Sequence, residues 1–394
     1  MKPWGEKEKL DENRPCSLGF DIDAVSSHWQ ANGFSCVDSH LDDYAEVAVV
    51  RLKDDSDALV AAVADGVSGS GMGFLAAYTI TKLFQACALR VLERGASEPV
   101  GKCAFPESLS DCLRETHESL KSTINEFLQK ASDVYEEVEA LKVALNRVKK
   151  IREDASKQPT FQPLGKFVSE LKGVEDAFQN LDEIAREEIR RQMDSFLRRI
   201  EHAAQGAQVK VNGKESIEQA LKILEAKLEL GEFGASNSLD NLDPASTFLG
   251  LVAFKNDIFI FKAGDSNFAL SFSEEFIHLN NELSSGLRSF FSLRNGLQGL
   301  KTFWIDPADL QEIHLHTDGA IPHYHEPGGF PWILFYNTRK GGLEDFPRKW
   351  FNVLNKRKAI NDDYTLLVIS RNVPREEGRE HRPLSGAASA LSKN

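Results

Sequence analysis

Two strand-textured regions lie on either side of a long helix-forming middle, and any fold of this chain must bring those two regions together across it. From about Gly19 to Gly95, short apolar runs alternate with turns; "YAEVAVVRL" and "ALVAAVA" read as paired strands around "KDDSD". A helix pattern follows from about Met72 to Arg94. From about Pro106 to Gly231 the composition shifts to Glu, Lys, Leu and Ala. Apolar residues from Leu113 to Val148 recur at a three-four spacing, the stripe of a coiled-coil seam. The prolines of "SKQPTFQPLG" end that helix. A second stripe, from Phe167 to Ile200, predicts an antiparallel helical hairpin whose first helix would reach roughly 65 Å. "ESIEQALKILEAKLEL" reads as a further helix.

Strand texture returns after "GASNSLDNLDP". "STFLGLVAF" and "DIFIFKAGD" flank the turn "KND" as a hairpin would, and "EIHLHTDG" and "DDYTLLVIS" are further strands. "DFPRKWFNVLNKR" is helical, and the polar tail 374–394 is expected to be disordered. The chain therefore divides into a discontinuous strand-rich domain, residues 1–105 and 232–373, and a helical insertion, residues 106–231.

At 394 residues and 41% hydrophobic content the chain can bury a large core. A formal net charge of −13 argues against nucleic acid or an anionic membrane as partner. The apolar runs near Val47–Val50 and Leu59–Ala64 are too short to cross a bilayer, and the N-terminal stretch lacks the apolar core of a signal peptide. The odd set of five cysteines, without a CxxC pair, predicts a reduced, cytoplasmic chain.

In both strand-rich regions, carboxylates sit at strand ends: Asp42, Asp43, Asp65, Asp265, Asp318, Asp362 and Asp363. Taken singly, each reads as a turn or cap; Asp65, before Gly66, Gly69, Gly71 and Gly73, is either a cap for the next helix or a metal platform. Hard divalent cations need such oxygen ligands, and two adjacent ions can activate water and clamp a phosphoryl group.

"VADGVSG", "STFLGLVAFKNDIFIFKAGDSNFAL", "HLHTDGA" and "NDDYTLLVI" occur in that order, and the series resembles the metal-dependent type 2C Ser/Thr protein phosphatases over about residues 30–95 and 240–370. The resemblance implies an α+β fold: two antiparallel sheets in a β-sandwich flanked by helices, here with the helical hairpin inserted. It implies two Mn²⁺ or Mg²⁺ ions, with a looser third. Asp65 would bridge both ions and the Gly66 carbonyl would bind the second. Asp318 and Asp362 would hold the first. Asp42 stands where the family places a Glu ligand of the second ion, Asp43 at its supporting Asp, and Asp265 at the residue that helps hold the third. Asp65 and Asp318 would act in catalysis through metal-bound water.

Departures from the family accompany these matches. No arginine stands at the phosphate-gripping position, where Asp38 and Cys36 are found; Val67 replaces a His used by many eukaryotic members, and Asn267 replaces an Arg. His40 and His316 lie near the proposed ligands and would either assist proton transfer or serve as ordinary core or surface residues. The implied activity is hydrolysis of phosphoserine and phosphothreonine in a protein substrate, within a cognate Ser/Thr kinase system. The alternatives are a weakly catalytic scaffold acting through its helical arm, and a helical interaction protein with a β-rich cap. The arm would bind a partner or self-associate.

Overall fold

A computed structural model describes residues 18–37, 42–52, 55–67, 73–95, 104–156, 187–188, 190–200, 202–203, 243–254, 257–272, 276–278, 290–320, 346–356 and 363–371. Asp38, His40, Asp362, most of the second stripe and the C-terminal tail lie outside these residues.

Six strands form one antiparallel sheet in the order β1-β2-β14-β13-β8-β9. They are β1 (Leu18–Val25), β2 (Trp29–Val37), β8 (Asn267–Phe272), β9 (Phe276–His278), β13 (Leu310–His316) and β14 (Tyr364–Arg371). The second sheet, in the order β12-β7-β6-β4-β3, contains β3 (Tyr44–Arg51), β4 (Asp57–Ala64), β6 (Phe248–Phe254), β7 (Asp257–Ala263) and β12 (Lys301–Ile305). Strands from before and after the helical middle thus interleave in both sheets. Alternation along the strands explains why the sheets stack. Leu59, Ala61 and Val63 of β4 meet Leu367 and Ile369 of β14 in an interior cluster that also takes in Ile313 and Leu315.

The opposite strand faces are covered by helices. Val60, Ala62 and Ala64 pack under α1 (Gly73–Gly95) and the start of α2 (Ala104–Ser156). Phe34, Tyr364, Leu366 and Val368 pack under Trp350 and Phe351 of α3 (Phe346–Lys356). The result is an α+β sandwich with helices on both outer faces.

Helix α1 is long and apolar enough to span a membrane, but 94% of that stretch is buried inside the fold. It is apolar on several sides because a sheet and a helix both cover it. Its one buried charge pair joins Lys82 to Glu46 of β3 at 2.6 Å, and the Tyr44 hydroxyl donates to the same carboxylate.

Helix α2 has 53 residues, about 80 Å at 1.5 Å per residue. It begins earlier and ends later than the apolar stripe, stopping three residues before Pro159. Its base is continuous with the main core. Leu109, Leu113, Ile124 and Phe127 share one apolar cluster with α1 and with Met193, Phe196 and Ile200 from the helical stretch 190–200. Phe127 stacks on Phe196 at 4.4 Å, and Arg199 pairs with Glu126 at 3.3 Å. Arg90 of α1 donates to the Ala203 carbonyl.

A small third sheet, β11-β10-β5, joins β10 (Phe290–Ser292) and β11 (Gly296–Gln298) to β5 (Ala245–Ser246). Asp243 ties its turn together by accepting from Ser292 Oγ, Arg294 N and Asn295 Nδ2. His117 of α2 closes on the same turn through Nε2 to the Leu293 carbonyl at 2.9 Å.

The expectation of a fully reduced chain is corrected at Cys36: this residue of β2 is disulfide-bonded. Cys87 and Cys112 are free.

Candidate functional site

One end of the sandwich gathers the carboxylates, because antiparallel pairing returns successive strands to the same edge. Tyr44 of β3 pairs with Ala64 of β4, which sets Asp42 and Asp43 beside Asp65 and Gly66. In the facing sheet, His316 of β13 pairs with Leu366 of β14, which sets Thr317 and Asp318 beside Asp363. Asp318 opens a single helical turn, Asp318–Ala320.

Polar bonds lace the two sheets together there. Asp363 Oδ2 accepts from the backbone N–H of Asp42 at 2.7 Å and of Asp43 at 3.3 Å. The Thr365 hydroxyl donates to Asp43 Oδ2 at 2.8 Å, and Ser35 Oγ lies 2.8 Å from the same hydroxyl. Thr317 N donates to the Thr365 carbonyl, and Thr365 N returns a bond to the Thr317 hydroxyl.

Asp43 is fully buried, and its Oδ1 has no hydrogen-bond partner among the described residues. Burial, then the neighbouring Asp65 and Asp363 charges, raise its carboxyl well above the ordinary carboxylate range; the Thr365 and Thr317 hydroxyls pull the other way.

The reason a strand ends on Asp65 followed by glycines is now geometric. A Cβ on Gly66 would lie 2.3 Å from the Gly73 backbone carbon and 2.7 Å from the Asp42 carbonyl oxygen. Backbone therefore packs on backbone, and α1 starts against the strand end. The carboxylate that caps α1 is Asp42, whose Oδ1 accepts from Phe74 N at 3.2 Å. The Asp65 carbonyl accepts from Thr247 N at 2.8 Å and Ser246 Oγ at 2.9 Å.

The remaining candidates sit at the rim. Asp265 is exposed in the β7–β8 turn, where Gly264 adopts φ +92° and a Cβ would meet Thr247. Thr247 Oγ1 lies 2.5 Å from Ser266 Oγ, which links this turn to the Asp65 strand end. Lys262, buried behind the turn, donates to the Ser266 carbonyl. Burial pulls its ammonium down to about 8, with Asp265 opposing and Lys301 adding. His316 is buried with Nδ1 2.9 Å from the Thr317 carbonyl, so it helps shape the strand end.

Sequence reasoning counted Asp363 among the strand-end carboxylates but gave it no role, and did not single out Thr365 or Thr317. The adjacency of Asp363 to Asp362 in "NDDYT" was the available signal. Among the described residues, no three His, Cys, Asp or Glu side chains are gathered closely enough to hold an ion by themselves. The donor chemistry nevertheless fits a hard divalent cation, which takes a few carboxylates and keeps several waters. The set is all oxygen, it is anionic, and it includes the buried, unpartnered Asp43 Oδ1.

No family model and no curated relative matches the chain. Among solved structures, it is similar to the serine/threonine phosphatase Stp1 from Staphylococcus aureus, with TM-score 0.39 and 9% identity over 89% of this chain and 97% of that one. It is similar to serine-threonine phosphatase 2C from Toxoplasma gondii, with TM-score 0.38 and 10% identity over 90% and 99%. Similarity also extends to RsbX in complex with magnesium, with TM-score 0.34 and 12% identity over 89% and 100%. Two of these three are serine/threonine phosphatases. At TM-scores of 0.39 and below, the weight stays on this chain's own strands and carboxylates.

Proposed function

We propose that this chain is a divalent-cation-dependent phosphomonoester hydrolase acting on phosphoserine and phosphothreonine in a protein substrate. The observation that carries the reading is the gathering of Asp42, Asp43, Asp65 and Asp363 at the joined end of two sheets, where burial and the neighbouring Asp65 and Asp363 hold the Asp43 carboxyl well above the ordinary carboxylate range. The order of the aspartate motifs, which resembles that of type 2C phosphatases, supports it.

Asp65, the Gly66 carbonyl, Asp42 and Asp318 are the groups that would hold Mn²⁺ or Mg²⁺, with Asp362 completing the set and Asp265 placed for a looser ion. When bound, such ions supply Lewis acidity toward a phosphoryl oxygen and lower the pKa of water. The chain's own residues keep the site rigid. Asp363 fixes the Asp42 and Asp43 backbone, Thr365 orients the Asp43 carboxylate, and Ser246 and Thr247 hold the Asp65 carbonyl. In the metal-free protein Asp43 retains a proton into the range where an ordinary carboxyl is ionised.

The scaffold reading is favoured by a separate observation. Asn267 is buried, with Oδ1 accepting from Phe268 N, and Cys36 is buried in β2, so neither offers a cation to a substrate phosphate. A hydrolase with this site would bind small phosphoesters weakly and show a high KM.

Hydrolysis of p-nitrophenyl phosphate in Mn²⁺, with and without chelator, tests the proposal. Turnover should require the cation and fall at least about 100-fold in Asp65→Asn. Cation-independent turnover, or full activity in a folded Asp65→Asn protein, would overturn it. Cation binding without turnover would establish the scaffold.

A further inference from the structure

A polar knot lies in the apolar cluster beneath α1 and α2, remote in role from the carboxylate end. Cys87 and Arg90 of α1 face Cys112 and Thr116 of α2. Thr116 Oγ1 lies 3.4 Å from Cys87 Sγ and 3.9 Å from Cys112 Sγ, and Arg90 Nη1 donates to the same hydroxyl at 3.0 Å. Both thiols are free. Cys87 is wholly enclosed, whereas Cys112 is 9% exposed and forms the accessible edge of the knot.

We propose that Cys87 and Cys112 are a modification site, a dithiol that hydrogen peroxide converts to an α1–α2 disulfide. The two sulfurs have unequal roles. A hydrogen bond from Cys87, with Thr116 and Arg90 acting in the same direction and burial opposing, pulls the Cys112 thiol down to about 6. The same thiol–thiol bond, with burial, pushes Cys87 up. Cys112, the more open of the two, is the sulfur that peroxide reaches first and the attacking one.

Its sulfur attacks one peroxide oxygen; the S–O bond forms, the O–O bond breaks, and hydroxide leaves to take a proton as water. Cys112 is then a sulfenic acid. The Cys87 thiol gives up its proton and attacks the Cys112 sulfur; the S–S bond forms, the S–O bond breaks, and the departing hydroxide takes that proton as a second water. Two thiols supply the two electrons that reduce the peroxide.

The test uses the full chain, reduced, held in chelator and treated with hydrogen peroxide before alkylation and peptide mapping. The expected result is a Cys87–Cys112 linked peptide that dithiothreitol reverses. Cys87→Ser should leave a Cys112 sulfenic acid trapped by dimedone, and Cys112→Ser should leave Cys87 unreacted. In the wild-type chain, Cys112 oxidised to sulfinic acid, linked to another cysteine, or unreacted while other thiols oxidise would overturn the proposal. That map needs neither variant to fold, and its readout is a covalent bond independent of phosphatase activity.

Discussion

Asp43 at the carboxylate end of the sandwich and the apolar side chains at the base of the helical arm are both buried, yet burial acts on them in opposite senses. At the arm's base, Phe127, Phe196, Leu197 and Ile200 leave water for apolar neighbours and stabilise the fold. At the strand ends, Asp43 leaves water for the company of Asp65 and Asp363, and burial there costs stability. The lesson is that one fold keeps its stability and its chemistry in separate places. The strand ends tolerate strain in charge because the helix base holds the chain together.

The comparison breaks most readily at the aromatic stack. Phe196→Ala should lower stability by about 3–5 kcal/mol in a denaturant titration, since it removes a buried ring stacked at 4.4 Å. A loss no larger than that of a surface change would show that the arm's base is not part of the core.

Gly66→Ala should cost about 2–3 kcal/mol and lower cation affinity in a calorimetric titration, because the new methyl meets backbone atoms that cannot rotate away. An unperturbed variant would mean that Gly66 and Gly73 are not in contact.

Asp43→Asn has the opposite sign. A carboxyl whose folded pKa is raised binds its proton more tightly in the folded state than in the unfolded one. Its contribution to stability is thus greatest at low pH and declines as pH rises from the ordinary carboxylate range through the raised value. In chelator, Asp43→Asn should remove that decline and exceed wild type by about 1 kcal/mol at neutral pH. Added Mn²⁺ should raise the melting temperature of wild type more than that of the variant. A wild-type protein that stays the more stable in chelator at neutral pH would reverse the assigned sign.

The smallest effect belongs to the exposed pair joining Arg199 and Glu126, whose side chains are 52% and 49% exposed. Arg199→Ala should change stability by no more than about 0.5 kcal/mol. A larger loss would show that charge, and not the adjacent stacked rings, secures the arm.

Much of the fold was legible from periodicity. "YAEVAVVRL" and "ALVAAVA" became β3 and β4, and the Met72–Arg94 pattern became α1, Gly73–Gly95. Helix α3 also fell within its expected segment. The hairpin of β1 and β2 was less visible: β1 sits at a sheet edge and carries exposed Asp21, Asp23 and Val25, so its alternation lacks a strong apolar half. At the site, the strand-end positions of Asp42, Asp43, Asp65 and Asp318 followed from local pattern. The capping of α1 by Asp42 did not, because its partner Phe74 is 32 residues away and nothing local announces it. The part Asp363 plays was hidden for the same reason: it accepts from the Asp42 and Asp43 backbone across more than three hundred positions.

The docking of the arm's returning helix against its outgoing one also bears on how the chain reaches its native state. Asp65 and Ser246, which must meet to finish the strand end, are 181 residues apart. Closing a flexible loop grows costlier only slowly, by about 0.6 kcal/mol for each doubling of length, but slow searches for distant strands expose unpaired edges to aggregation. Glu126 meets Arg199 across 73 residues, and Arg90 meets Ala203 across 113. Once those contacts form, Ala203 is tied to α1 and the remaining search runs only from there to Ser246. The contacts of Arg199 and Ala203 thus shorten the loop that the meeting of Asp65 and Ser246 must close, from 181 residues to the 43 between Ala203 and Ser246.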